Sequence, residues 1–331
     1  MSAAAHAVRA VTTPRARQAF GAAAAGAVVV AACLVPQFTD RRDSINLLFL
    51  VYLYVTLALS WNILGGFAGQ INLGHAAFFG VGALVTRKLW TEQDVPFLLA
   101  FVAGGLVVVV FALIVGVVTF RLRGVYFAIG TLALAEALRI TVANLLPNIS
   151  SMPGPMIARY ELEPRYYLAL ALAITTAAAT FLLQRTRVSL GILAVREDEA
   201  AAQASGVNAL AHKLVALALS GFFTGLAGGV FAYYHVSFYP SFSFGPAWTF
   251  DAVLATFVGG IGTVVGPIIG AMFFIVVRER LATSLVEVHQ AIFGLLFIVV
   301  VLLLPGGLLE AWSKLRRLGL RLYRRSAGGG D

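Results

Sequence analysis

Three polar side chains, Gln70, Asn72 and His75, stand two and three residues apart inside the run Gly65–Leu84, GGFAGQINLGHAAFFGVGAL, which also holds six glycines. Two amides and an imidazole at this spacing suit hydrogen bonding rather than bond making. They can line a polar path, or they can satisfy backbone groups freed by a break; the second role is preferred, because an unsatisfied backbone group in lipid costs several kcal/mol. Each glycine costs a helix about 1 kcal/mol relative to alanine, so the run is expected to break rather than span smoothly. Phe78 and Phe79 follow directly and read as core before gate. Glu136 and Arg139, three apart, can meet on one helix face as an internal ion pair, with an inter-helix tether as the sharper alternative. A third polar cluster, Glu197-Asp198-Glu199, precedes Ala200 and Ala201 and a run ending at Gly206. Acidic residues in a first turn and glycine just past the last turn mark a short helix, and Asn208 can cap the next one.

Constellations for catalysis are missing from the sequence. No Gly-Lys dipeptide occurs, so there is no G-x-x-x-x-G-K-S/T loop for ATP. There is no H-E-x-x-H and no G-x-S-x-G, and the five histidines do not pair at metal-ligand spacing. The chain is read as a non-enzyme with no catalytic residue, no metal site and no cofactor of its own.

The elements that must position these residues are membrane helices. The chain is 60% hydrophobic and only 12% charged, with mean hydropathy +0.89, against about 25% charged for a soluble domain. Runs such as Phe97–Phe120 and Tyr166–Leu183 do not alternate as barrel strands do. The net charge of +9 is read as membrane topology and contact with anionic lipid, not as nucleic-acid binding, because basic residues sit at the ends of spans. One cysteine excludes an internal disulfide. Arg9, Arg15 and Arg17 before the apolar run Phe20–Val35 fit a retained first helix better than a cleaved signal.

Further apolar runs are Ile45–Leu64, Phe97–Phe120, Val125–Leu146, Tyr166–Leu183, Leu214–Tyr234 and Ala291–Leu304. Ile71–Val85 is short. Trp248–Val277 contains Gly259-Gly260-Ile261-Gly262 and Gly266-Pro267, and reads as two short helices meeting at a break. If every run crosses, with the N-terminus inside, the basic residues Arg121, Arg123, Arg185, Arg187, Arg196, Lys213 and the cluster Lys314–Arg325 all fall in the cytoplasm. The expectation is an all-α polytopic membrane protein of about ten transmembrane helices with broken glycine-rich helices; eight spans is the alternative. Segment 1–19 is then a cytoplasmic N-terminus, 20–305 a transmembrane permease domain with the cytoplasmic loop 185–212, and 306–331 a basic cytoplasmic tail. Leu57-Ala58-Leu59-Ser60 recurs as Leu217-Ala218-Leu219-Ser220, and Gly65 and Gly69 match Gly225 and Gly229 at the same offset. An odd number of crossings between the copies makes this an inverted repeat, a common transporter plan.

Four blocks carry a family resemblance. Gly69–Gly80, GQINLGHAAFFG, resembles the G-Q-x-S-L-G-H-A-A-F-F-G signature of LivM-type permeases of branched-chain amino acid ABC transporters, with Asn72 where serine is usual. Arg123-Gly124-Val125-Tyr126-Phe127-Ala128 resembles the family's R-G-x-Y-F-A block. Ala194-Val195-Arg196-Glu197-Asp198-Glu199 resembles its A-I-R-E-D-E loop opening, and Gly259-Gly260-Ile261-Gly262-Thr263 its late G-G-x-G-T. The resemblance covers about residues 45–305. It implies an importer subunit of the bacterial inner membrane that works with a LivH-like second permease, two ABC ATPases that bind the ATP, and a periplasmic solute-binding protein. The segment Arg196–Gly206 then resembles the E-A-A-x-x-x-G coupling loop of such permeases, with glycine one residue late. A urea or short-chain amide importer shares much of the signature, and a channel or secondary transporter without an ATPase is the rival from another class.

Overall fold

Where no water can pair with the backbone, every N–H and C=O must find a partner within the chain, which leaves helices or closed barrels as spanning structures. The computed structural model is helical, and the chain is an all-α polytopic membrane protein. It describes residues 26–27, 29–38, 41–148, 150–284 and scattered positions from 292 to 311. Segment 1–19, most of the run Ala291–Leu304 and the tail from 312 onward lie outside the described residues, so the full count of crossings does too. Two compact units are present, Met1–Asn46 and Leu47–Asp331.

Helix α1 covers Val29–Phe38, and α2, Arg42–Asn62, runs on into a π-turn at Ile63–Phe67. Next come α3, His75–Thr91, α4, Phe97–Thr119, and α5, Val125–Leu145. A short α6, Gly154–Ala158, leads to α7, Leu162–Leu183. Then follow α8, Arg187–Glu197, α9, Glu199–Ala204, and α10, Ala209–Tyr234. After the turn α11, Pro240–Ser243, the glycine-rich run divides into α12, Ala247–Gly259, and α13, Val265–Ser284. The only ladder among the described residues is two residues long: β1, Ser150–Ser151, antiparallel to β2, Ser237–Phe238.

Five helical segments, Arg42–Phe67, α4, α5, α7 and α10, are long and apolar enough to cross a membrane. At 1.5 Å per residue each exceeds the roughly 30 Å of hydrocarbon. They differ in burial. The apolar windows of Arg42–Phe67 and α10 are 78% and 72% buried, whereas that of α5 is 17% buried. On α4 the residues divide by face. Ala100, Gly104, Val108, Ala112 and Gly116, four apart, are buried, while Leu98, Leu106, Val110, Ile114 and Val118 are exposed as a branched-chain stripe suited to lipid. Small residues inside and large ones outside reflect the absence of a hydrophobic drive between helices in lipid, where close backbone approach must do the work. α3 and α10 approach closely: a Cβ on Gly82 would overlap the backbone of Gly225, and one on Gly228 the carbonyl of Phe79.

The two copies of the repeated tetrapeptide meet here. Ser220 on α10 donates its hydroxyl to the carbonyl of Ser60 on α2 at 2.6 Å, and Thr224 donates to the Ser60 hydroxyl at 3.0 Å. At the far end of α10 five successive carbonyls are taken up by side chains. Arg87 Nη1 serves Ala232 and His235 at 3.2 and 3.0 Å, and Nη2 serves Val236 at 2.9 Å. Arg165 Nε serves Tyr233 and the Tyr160 hydroxyl serves Tyr234, both at 2.9 Å. Arg87 Nη2 also holds the Ser150 carbonyl of β1 at 2.8 Å. A helix C-terminus carries unsatisfied carbonyls and partial negative charge, which is why two buried guanidinium groups sit there with, among the described residues, no carboxylate in their bonds.

The positive-inside rule predicts Ser241 outside and Gln203 inside. In a Cys33→Ala background, Ser241→Cys should label with a membrane-impermeant maleimide on intact spheroplasts and Gln203→Cys only after lysis. The reverse pattern would overturn the orientation.

Candidate functional site

The break between α2 and α3 is wired from within. The π-turn Ile63–Phe67 is buried throughout, and Gly69 adopts a φ of +67°. Gln70 donates its backbone N–H to Leu64 O at 3.1 Å and its amide to Ala68 O at 3.2 Å. Asn72 accepts from Gly74 N at 2.6 Å through its side chain, while its carbonyl accepts from the Trp61 indole at 2.8 Å. Thr131 Oγ1 on α5 takes Leu73 N, and Thr249 Oγ1 on α12 takes Ala76 N. The side chains of Gln70 and Asn72 therefore bond to the broken backbone. His75 is buried against Ser220, Nε2 to Oγ at 2.7 Å. The single Ser220 hydroxyl proton goes to Ser60 O, so His75 Nε2 is the donor. Phe78 packs edge-on to His75 and Phe111, and Phe79 stacks on Trp248 at 4.3 Å between ring centroids; both are buried.

The second break, between α12 and α13, lies against the first. Asn62 at the end of α2 donates to Thr263 O at 2.8 Å and accepts from Gly262 N at 2.8 Å. Arg196, in the last turn of α8, reaches the same place and donates from Nη1 to Gly66 O at 2.8 Å. One arginine thus ties the 187–206 segment to the π-turn, and one asparagine ties that turn to the 260–264 break.

The segment itself folds as two short helices at a sharp corner. Asp198 caps α9 by accepting from Ala200 N and Ala201 N at 2.9 and 3.0 Å. Gly206 ends it with a φ of +85°, and Asn208 caps α10 through Ala211 N at 3.0 Å. Ala202 packs with Val195 and Ala209 in a small cluster of its own. Ala200, Ala201, Ala204 and Gly206 face outward beside the exposed Glu197 and Asp198. Glu199 is used internally: its carboxylate holds the buried Lys213 ammonium at 2.6 Å. Lys213 bears no partner signal in the sequence beyond its position at a helix start.

Glu136 and Arg139 form their pair on α5, the guanidinium reaching both carboxylate oxygens. The inter-helix tether is found elsewhere. Asp251 on α12 holds Arg278 of α13 at 2.7 Å and accepts from the Tyr54 hydroxyl of α2 at 2.9 Å, with Arg278 also donating to Tyr54 at 2.9 Å. An acidic residue alone within the apolar run Trp248–Val277, Asp251, was the signal the sequence offered for this tether. Among the described residues no group of three or more histidine, cysteine or carboxylate side chains could hold a metal ion.

Over residues 44–301 the chain matches the family described as branched-chain amino acid transport system, permease component. It is 28% identical over 305 residues to the high-affinity branched-chain amino acid transport system permease protein LivM of Salmonella typhimurium, and equally to that of Escherichia coli; the alignments cover 82% of this chain and 71% of each relative. It is 35% identical over 107 residues to the ribose import permease protein RbsC of Haemophilus influenzae, covering 30% of this chain and 32% of that one. No solved structure matches.

Proposed function

The chain belongs to the branched-chain amino acid transport system permease family, and on that premise we propose how it works: alternating access driven through the 187–206 segment. It is a permease subunit of an ABC importer and a multi-pass membrane protein. Its partners are a LivH-like second permease, two ATPases and a periplasmic binding protein, in the bacterial inner membrane. Branched-chain amino acids are the solutes. No chemistry occurs in this chain; nucleotide is bound and cleaved by the partners.

The observation that supports this reading most is the bond from Arg196 to Gly66 O. It joins a cytoplasmic segment with an exposed alanine face to the two places where the membrane helices are broken. Force applied to α9 by a nucleotide-binding partner reaches the π-turn through one charged hydrogen bond, and reaches the 260–264 break through Asn62. Movement follows only from contacts that differ between inward- and outward-facing states. Gln70, Asn72 and His75 keep the broken backbone satisfied while it moves.

The test is coupling. Glu199→Ala removes the partner of buried Lys213, and Gly206→Ala forces a left-handed backbone on alanine at roughly 1–2 kcal/mol. Each variant should insert normally and lose solute-stimulated ATP hydrolysis and uptake together. Unchanged hydrolysis and uptake in both variants would count against the coupling role, and flux through the isolated subunit in liposomes would replace it with a channel.

A further inference from the structure

We propose that Arg139, in the wall of a cavity on the outer side of the chain, recognises the α-carboxylate of an incoming apolar amino acid, with its partner Glu136 beside it for the α-ammonium; this deepens the importer reading and rests on it. The pair is odd as a structural device. Its members sit three apart on one helix and, among the described residues, bond only to each other, so there it holds no two helices together, unlike Asp251 with Arg278. Each side chain is 39% exposed, in the middle of the least buried long helix. Ionised side chains at membrane depth are costly and face a cavity or a partner.

Here there is a cavity. It is an open concavity of about 630 Å³, within the roughly 300–1,000 Å³ of small-molecule sites, and Arg139 lines it together with Phe231, His235, Tyr239 and Phe242. The lining residues from 235 onward lie in the connection that the charge distribution places outside, where a solute-binding protein would release its load. Arg139 spends Nε and Nη2 on Glu136, and among the described residues no protein group takes its Nη1 edge. A guanidinium holding one carboxylate on one edge can bind a second on the other. Glu136 lies one bond behind Arg139 rather than in the cavity lining itself, and keeps lone pairs for an ammonium. Phe231 and Phe242, 6.1 Å apart between ring centroids, form an apolar wall for an aliphatic side chain. Behind them Trp248 and Phe79 continue the ring stack.

The test uses the complete importer in proteoliposomes with saturating leucine-loaded binding protein, uptake being scaled to assembled complex. Arg139→Lys and Glu136→Gln should each lower maximal leucine uptake at least about tenfold, the equivalent of one charged hydrogen bond. The exchanged pair, Glu136→Arg with Arg139→Glu, restores the ion pair and should not restore uptake, because the solute's two charges then meet the wrong partners. Rescue by the exchange, or near-normal uptake in both single variants, overturns the site. Wild-type complex that takes up no apolar amino acid overturns the importer reading itself.

Discussion

Replacing Arg87 by methionine abolishes the folded subunit: a fluorescent fusion should lose its monodisperse peak in size-exclusion chromatography. The side chain is almost fully buried and its fork holds four carbonyls, those of Ala232, His235, Ser150 and Val236. Val236 O keeps a second donor in Met152 N, and Ser150 O lies in the β1–β2 ladder opposite Phe238; the carbonyls of Ala232 and His235 lose their side-chain donor. Each buried group without a partner costs roughly 1–3 kcal/mol, so the loss is on the order of 2–6 kcal/mol, a large share of the whole stability of a typical domain at about 5–15 kcal/mol. Arg87→Lys keeps the charge but not the planar fork, and should fall between. Lys88→Met, which removes the neighbouring charge without breaking any of these bonds, is the control. Identical behaviour of Arg87→Met and Lys88→Met would show that the clamp on α10 contributes nothing.

Arg196→Ala should leave the subunit folded and assembled and should lower uptake about 10- to 100-fold. The number follows from the bond to Gly66 O: a hydrogen bond to a charged group is worth about 1.5–3 kcal/mol, and every 1.4 kcal/mol is about tenfold in an equilibrium. A bond made in one conformation and lost in the other shifts their balance by that amount. Arg196 is more than a third exposed, so its removal leaves no buried charge behind. The single unsatisfied group is a carbonyl already placed at a helix break. Asn62→Leu should impair uptake as well, and the double variant should be no worse than the poorer single one, since both act through the same turn. Additive losses, or normal uptake in Arg196→Ala, would mean that the segment moves the breaks by another route.

The local features of this chain were legible in its sequence because their causes are local. Helix caps depend on residues two or three apart, so Gly206 and Asn208 could be placed at the end of α9 and the start of α10 from spacing alone, whereas Asp198, expected in a first turn, is the N-cap at a corner between two helices. Membrane helices reveal themselves by length and hydropathy, and the split of Trp248–Val277 by its glycines. The Glu136–Arg139 pair closes within one turn. The long-range partners were not legible. Arg87 finds carbonyls 63 and 145 to 149 positions away, Arg196 one 130 positions away, and Tyr54 a carboxylate 197 positions away. In an apolar chain few charges are present, and each could serve topology, a tether or a solute with the same one-letter code. Which of these it serves depends on where helix ends and breaks leave carbonyls without partners, and only the packing of the helices against one another decides that.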